Sequence, residues 1–513
     1  MKRPLKKDAL KKVAQISSKI MKSPAQLFLI LSLLFGSLFI IFTPPGFNDD
    51  EATHYIRVQQ IANGQIFNEL KPYPARIDNT RSDQDRLIGY GPIDINANNF
   101  IHSFSFGESQ TMPFDKNLTL PQKYHSQTIL DVTSGQATPN SPMAYAPLVA
   151  GTWLSKFFGI SLLGEFMLAK FLQLILCICL IFLAIKIIPR GKWVLLAISV
   201  LPMTLIQLTA YSHDGLTYSI SVLLFAWVYK IIYYQEKITP QNAIILSGLT
   251  IALGCVKMTY LPIIILTLII GFINKNWHSI KGWLINISSI LVSSFICLYL
   301  ISKVSKANPD ITITNVAVSP GLQKEAISHN PLHFLKAVIH SIFFQAYHYQ
   351  SPNPDSYLHS RQQLTAFGAI LSERVLLQPW FMLASIVGVI LAIIITISKT
   401  SNNSLTNFPE IDENSFKEKK SKLLIVARYL IPLLCLGLIY ISLYLSLSAP
   451  GETYIWGVQT RYWLPFLPLL LIPQYCQIDL NQKIINNLKI SFFWINAIVL
   501  LDTLYTIHRA AIL

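Results

Sequence analysis

The sequence predicts an all-α polytopic integral membrane protein, and three observations carry that prediction. Of 513 residues, 52% are hydrophobic and only 13% charged, against about 25% charged in a soluble domain. Apolar runs recur along the chain at lengths near the roughly 20 residues that cross a bilayer. Basic turns recur between them, while the long polar loop after the first run is mildly acidic, as expected when lysine and arginine stay on the cytoplasmic side. The net charge of +15 is therefore read as topology, and no nucleic-acid partner is expected. The partner of most of the surface is the lipid bilayer.

Residues 1–24 form a basic cytoplasmic tail, with eight Lys or Arg and one acid between Met1 and Lys22. Ala25 to Phe42 is the first span. No small-x-small cleavage pattern precedes Pro44-Pro45, so it reads as an uncleaved anchor. The outer loop 43–141 follows; loops of that length usually have a function. It contains the sequon Asn117-Leu118-Thr119. Residues 142–158 are apolar but pose a choice. If they span, Lys186, Arg190 and Lys192 fall outside; if they lie along the outer surface, those residues fall inside, as the charge rule prefers. They are read as a juxtamembrane helix.

Further spans then fall near 166–188, 193–210, 216–233, 242–257, 260–273, 282–301, 380–397, 423–447, 460–475 and 490–505. With the first, this makes about 11 transmembrane helices, with the N-terminus inside and the C-terminus outside. The cytoplasmic turns carry Arg190 and Lys192, Lys230 and Lys237, Lys275 and Lys281, Lys417 to Lys422, and Lys483 with Lys489. The chain thus divides into an N-terminal membrane module (25–301), an extracytoplasmic loop (302–379) and C-terminal membrane helices (380–513). Within that loop Pro331 to Tyr347 is aromatic and amphipathic, an interfacial helix or a weak extra span. The six cysteines, Cys177, Cys179, Cys255, Cys297, Cys435 and Cys476, lie in or beside apolar runs, which suggests no disulfide framework.

The densest chemistry follows the first span: Asn48-Asp49-Asp50-Glu51-Ala52-Thr53-His54-Tyr55-Ile56-Arg57. Consecutive carboxylates at a membrane face are costly without water or cations. A helix from Ala52 to Asn63, closed by Gly64, sets Asp50, His54 and Arg57 at i, i+4 and i+7 on one face. That face offers a base, a titratable ring and a phosphate-binding fork. The plain alternative is helix capping: Asn48 and Glu51 match a capping box, and acids favour a helix N-terminus. Four later features fall on the same outer side: His213-Asp214-Gly215, Lys257-Met258-Thr259-Tyr260, Gly451-Glu452-Thr453-Tyr454-Ile455-Trp456, and Gln459-Thr460-Arg461-Tyr462-Trp463-Leu464-Pro465. Each has a bland reading as a turn, a snorkelling lysine or an aromatic anchor. Their convergence on one face favours function, because the topology came from the basic turns alone. A carboxylate base with nearby Lys and Arg suits transfer of a group from a lipid-linked phosphate. The chain has no zinc His-Glu-x-x-His motif, no phosphate-binding P-loop and no nucleophile elbow.

These stretches resemble the C-type (GT-C) superfamily of membrane glycosyltransferases, and more closely a bacterial branch of predicted membrane proteins placed beside it. The likeness rests on Pro45 to Arg57 with Ala62-Asn63-Gly64, on Pro142 to Pro147 with Phe158-Gly159, on Ser212-His213-Asp214, on Lys257 to Pro262 and on Gln459 to Pro465. Ser141, Thr460 and Lys170 depart from the pattern, standing where relatives often carry proline, glycine and arginine. The resemblance implies a GT-C-like helical bundle with juxtamembrane helices in the first outer loop. It implies an inverting glycosyltransferase moving a sugar from a polyprenyl-phosphate donor to an extracytoplasmic acceptor: an envelope glycan, a lipid or a protein. Asp50 and Glu51 would be catalytic. Asp49, His54, Arg57, Tyr145, Asp214, Lys257, Tyr260, Arg461 and Tyr462 would bind substrate. No resident cofactor is implied, although the acid cluster leaves a divalent cation open. Two other classes compete, a transporter or flippase of a lipid-linked or polar solute and a non-catalytic envelope assembly factor.

Overall fold

The computed structural model describes residues 23–48, 50–72, 87–104, 123–138, 140–304, 320–343, 370–372, 375–376, 379–399, 419–473 and 477–512. The basic tail, Asp49, the sequon at Asn117, Lys417, Cys476 and most of 344–378 lie outside these residues.

The first helix, α1 (Pro24–Phe42), starts on Pro24 with the Ser23 hydroxyl accepting from the Gln26 amide. It buries Phe28, Leu31, Phe35 and Phe39 and exposes Ile30, Leu33, Leu34 and Ile41. A helix apolar on all sides fits one face against protein and the other against lipid. After α1 the chain enters α2 (Glu51–Ala62), closed by Gly64 at a φ of 94°. Here the outer loop departs from an all-helical expectation. Strands β1 (Glu69–Pro72), β2 (Leu87–Asp94) and β3 (Ile129–Thr133) form an antiparallel sheet with β2 central, and α3 (Ile95–Phe104) follows β2. These strands are short and broken by Gly89, Gly91 and Pro92, which hides them from periodicity. The Gln60 side-chain amide donates to Val132 O at 2.8 Å and ties the sheet to α2. Gly91 allows this approach, because a Cβ there would fall 2.0 Å from Gln65 Oε1.

A 3-10 turn (Pro142–Tyr145) leads into α4 (Ala146–Phe157), which is 12 residues long. It is too short to cross a bilayer. It packs on α5 (Leu162–Ile187) through a small-residue contact, where a Cβ on Gly151 would lie 2.4 Å from Ala169 Cα. Next come α6 (Lys192–Ser199) and α7 (Pro202–Thr209), a pair bent by 65° at Pro202. The central helix is α8 (Asp214–Tyr233), buried along almost its whole length. Its buried hydroxyls are satisfied locally: Thr217 donates to His213 O at 2.9 Å, Ser219 to Gly215 O at 2.7 Å and Ser221 to Thr217 O at 2.8 Å.

Then follow α9 (Pro240–Val256), a 3-10 segment (Met258–Ile265) continuing as α10 (Leu266–Ile273), and α11 (Ile280–Val304). Helices α12 (Pro320–His329) and α13 (Pro331–Phe343) form a surface pair; α13 has 13 residues. Its described part is shorter than the roughly 20 residues that cross a bilayer, and 344–347 lie outside the described residues. The chain ends with α14 (Pro379–Ile397), α15 (Lys419–Leu447), a 3-10 segment (Thr460–Phe466) with the short α16 (Leu467–Leu471), and α17 (Gln482–Ile512).

All eleven expected segments are helical, but among the described residues only seven helices are long and apolar enough to cross a membrane, eight if the bent pair counts as one. The shortfall lies in 240–256, 258–273 and 460–471. Pro262 and Pro465 interrupt the last two, and the 3-10 backbone there is the response to a missing amide donor.

The Gly151 contact sets where Tyr145 sits, since the two belong to adjoining segments. Replacement of Gly151 by Val is expected to push α4 off α5 and to cost about 1–3 kcal/mol, read as a lowered unfolding temperature of the detergent-solubilised protein.

Candidate functional site

Asp50 opens α2 in a left-handed backbone conformation, with a φ of 56°. This is uncommon for a residue with a Cβ, and such geometry concentrates at functional sites. Its side chain makes no capping bond. Instead the carboxylate, 31% exposed, lies 3.6 Å from Arg461 Nη2. Arg461 Nε lies 3.1 Å from Asp214 Oδ2, and Lys257 Nζ lies 2.7 Å from Asp214 Oδ1. Two carboxylates and two cations from four distant stretches thus form one chain, Asp50–Arg461–Asp214–Lys257, with no net charge.

The rings pack beside it. The His54 and His213 rings meet edge to face at 5.3 Å, and Tyr145 lies 5.6 Å from one and 5.9 Å from the other. His54 Nδ1 is 2.6 Å from the Tyr145 hydroxyl, which also accepts from the Asn140 amide at 3.0 Å. Burial lowers the His54 pKa to about 4. Burial, and then the Lys257 charge, push His213 well below the ordinary histidine value. Both imidazoles are neutral at physiological pH. Both His213 ring nitrogens are buried and form no hydrogen bond. Tyr260 donates to Tyr462 O at 2.9 Å, joining the two 3-10 segments, and Lys257 lies 5.1 Å from the centre of the Tyr462 ring.

Among the described residues, helices separate these stretches along the chain and return them to one cluster. Helix α5 and the α6–α7 pair lie between Tyr145 and His213. Helices α8 and α9 lie between Asp214 and Lys257. The 258–273 unit, α11, α14 and α15 lie between Lys257 and Arg461. The far end of α8 from Asp214 carries the basic turn with Lys230. There Lys230 pairs with Glu236 at 3.1 Å, and the Asn274 amide donates to Glu236 O at 2.9 Å.

Of the residues singled out from sequence, Asp50, His54, Tyr145, Asp214, Lys257, Tyr260, Arg461 and Tyr462 converge; Asp49 is outside the described residues. Arg57 does not face the cluster with Asp50 and His54 as helical spacing suggests. Its guanidinium donates to Gln65 O at 3.4 Å and Ile66 O at 2.5 Å, closing the loop after α2. Its charge nevertheless acts on Tyr145 of the cluster.

Glu51 also turns inward. Its Oε1 accepts from Lys170 Nζ at 3.1 Å, Asn48 Nδ2 at 2.9 Å and the Tyr211 amide at 2.9 Å, with both charged side chains fully buried. This pair anchors α2 on α5. Lys170, Asn140 and His213 are the participants that sequence reasoning underweighted. A lysine inside an apolar helix was the available signal. Among the described residues no three His, Cys, Asp or Glu side chains gather as a metal-ligand set.

A family model described as "Predicted membrane protein (DUF2142)" matches residues 33–470. The chain belongs to this family. The matched stretch contains every residue of the cluster. No curated protein and no solved structure matches the chain.

Two predictions follow from the cluster of this DUF2142 member. Lys170→Met alone leaves a buried, unpaired Glu51 and is expected to cost about 3–5 kcal/mol, whereas Glu51→Gln with Lys170→Met recovers much of that. Thermal unfolding of the single and double variants checks it. The second concerns acid. His54 has a pKa of about 4 when folded and 6.5 ordinarily, so the unfolded chain binds more protons between those values. Stability is expected to fall as pH drops from 6.5 towards 4, less steeply in His54→Gln, as followed by the urea midpoint.

Proposed function

We propose that the protein is an inverting glycosyltransferase of GT-C type, taking a sugar from a polyprenyl-phosphate donor at the outer face of the membrane. The observation that carries this reading is Asp50: a solvent-reachable carboxylate, in a strained backbone, facing an arginine shared with a second carboxylate. The order of motifs along the chain supports the superfamily assignment. The basic turns expected on the cytoplasmic side support an extracytoplasmic site.

In this reading Asp50 takes the proton of the acceptor hydroxyl as its oxygen bonds to the sugar's anomeric carbon. The bond from that carbon to the phosphate oxygen breaks on the other side, and the electron pair leaves with the phosphate. Once Asp50 is protonated, Arg461 keeps only Asp214 as an anionic partner. Its charge, with that of Lys257, is then free to favour the departing phosphate. The acceptor, whether envelope glycan, lipid or protein, approaches from the Asp50 side. Glu51 supports the reaction through Lys170 by fixing the start of α2.

A second reading, movement of a lipid-linked solute across the membrane, is favoured by the broken α6–α7 pair with its 65° bend. It predicts flux of labelled lipid-linked sugar in liposomes without product.

Asp50→Asn is expected to lower sugar transfer by roughly 100- to 10,000-fold while the purified protein keeps its unfolding temperature. The measurement is turnover against a panel of polyprenyl-phosphate sugars, read by mass spectrometry. Wild-type turnover by Asp50→Asn would remove the reading.

A further inference from the structure

We infer that His54 is a neutral hydrogen-bond donor that holds a phosphate oxygen of the lipid-linked donor through its Nε2–H, and that Tyr145 and Asn140 are positioning residues that fix its tautomer. This deepens the glycosyl-transfer reading and rests on it.

We assign these hydrogen bonds one direction, since His54 Nδ1 is the acceptor that lies within reach of the phenol proton. The Asn140 amide donates to the Tyr145 oxygen at 3.0 Å. The phenol proton is then left for His54 Nδ1 at 2.6 Å. Burial pushes the Tyr145 pKa up, so the phenol keeps that proton. An imidazole whose Nδ1 accepts carries its own proton on Nε2. Among the described residues no protein group accepts from this nitrogen, although the Tyr145 contact holds the ring firmly.

The ring also sits inside the charged cluster. Asp50 on its own helix, Asp214 at the start of α8, Lys257 before the 258–265 segment and Arg461 in the last 3-10 segment all act on it electrostatically, with neutral His213 alongside. These neighbours explain why a neutral donor suits the place. A further cation would pair with Asp50 or Asp214. A carboxylate would repel the phosphate. A donor-only N–H matches an oxygen that only accepts, as in a phosphodiester. Asp50, which only accepts, matches the hydroxyl that must lose a proton. One helix turn therefore separates the group that meets the acceptor from the group that meets the donor's phosphate. The same geometry argues against His54 as the base, because its lone pair is occupied by Tyr145.

The test uses the full-length protein in detergent or nanodiscs, with turnover of a polyprenyl-phosphate sugar and, separately, binding of polyprenyl phosphate itself. His54→Gln places an amide N–H near the Nε2 position; His54→Asn is too short to do so. His54→Gln is expected to stay within about 10-fold of wild type, whereas His54→Asn loses roughly 10- to 100-fold in kcat/KM and weakens polyprenyl-phosphate binding by a similar factor. Tyr145→Phe, which frees the tautomer, is expected to lose about 3- to 10-fold. Wild-type activity should show no histidine ionisation between pH 5.5 and 8.5, roughly the range above the lowered pKa.

If His54→Gln is as inactive as His54→Asn, and the wild-type profile shows a histidine ionisation in that range, His54 is a base and the inference is overturned. Wild-type phosphate binding by His54→Asn overturns it as well. Failure of the transferase reading looks different: no sugar turns over, or Asp50→Asn turns over normally, while the phosphate-binding arm still reports on His54.

Discussion

Asp214 is the group on which the cluster depends. A carboxylate at the buried start of the central helix is costly unless cations compensate it. Lys257 at 2.7 Å and Arg461 at 3.1 Å do so from two different faces. Lys257 is the extended residue just before a 3-10 segment, and Arg461 is the second residue of another 3-10 segment that follows the extended Gln459; each segment contains a proline before a short helix resumes. A regular helix would direct its side chains sideways into neighbours or lipid. An extended residue at the end of a broken span can point along the axis, towards the cluster. The bond from the Tyr260 hydroxyl to Tyr462 O holds the two broken entries at one level.

On the other side the cluster is held by the outer loop. Asp50 occupies a strained conformation, and strain persists only where the surroundings over-determine it. Glu51, the next residue, is locked to Lys170 and the Tyr211 amide. Tyr211 stacks on Phe166 at 4.9 Å, and Lys170 lies over that same ring at 4.8 Å. A second polar knot lies behind α2, where His125 Nε2 meets the buried Glu165 at 2.7 Å and Gln59 also donates to Glu165. Asp50 is thus the exposed end of a segment whose other polar groups are nearly all committed to structure. That contrast separates a group available to a substrate from groups that only hold it in place.

The two adjacent acids show how far sequence reasoning reached. Asp50 and Glu51 read alike as letters: both are acids, both at a helix start, both beside a membrane face. The capping box weighed for Asn48 and Glu51 forms only in part: Asp50 is the N-cap, and Glu51 accepts from the Asn48 backbone amide at 3.4 Å and from its side chain at 2.9 Å, while Asn48 Oδ1 accepts nothing among the described residues. Arg57 gives its guanidinium to Gln65 O and Ile66 O, a partnership that helical spacing does not announce, while its charge still acts on Tyr145. The sheet in the outer loop went unread because its strands are short and interrupted by glycine and proline. The long apolar helices were legible, since composition and length alone mark them.

Sequence by itself determined the membrane class, the helical segments and the stretches where polar residues gather, because these follow from hydropathy, length and the placement of lysine and arginine. It also gave the expectation that the acid, the rings and the cations share one side, and the fold brings them together. Tertiary structure alone decided which carboxylate stays accessible, which lysine is buried as a counter-ion and which hydroxyl meets His54 Nδ1. Those outcomes depend on contacts between residues some 90 to 410 positions apart, as from His54 to Tyr145 and from Asp50 to Arg461. Local pattern carries no information about such pairings; the burial of charge, and the need to satisfy it, does.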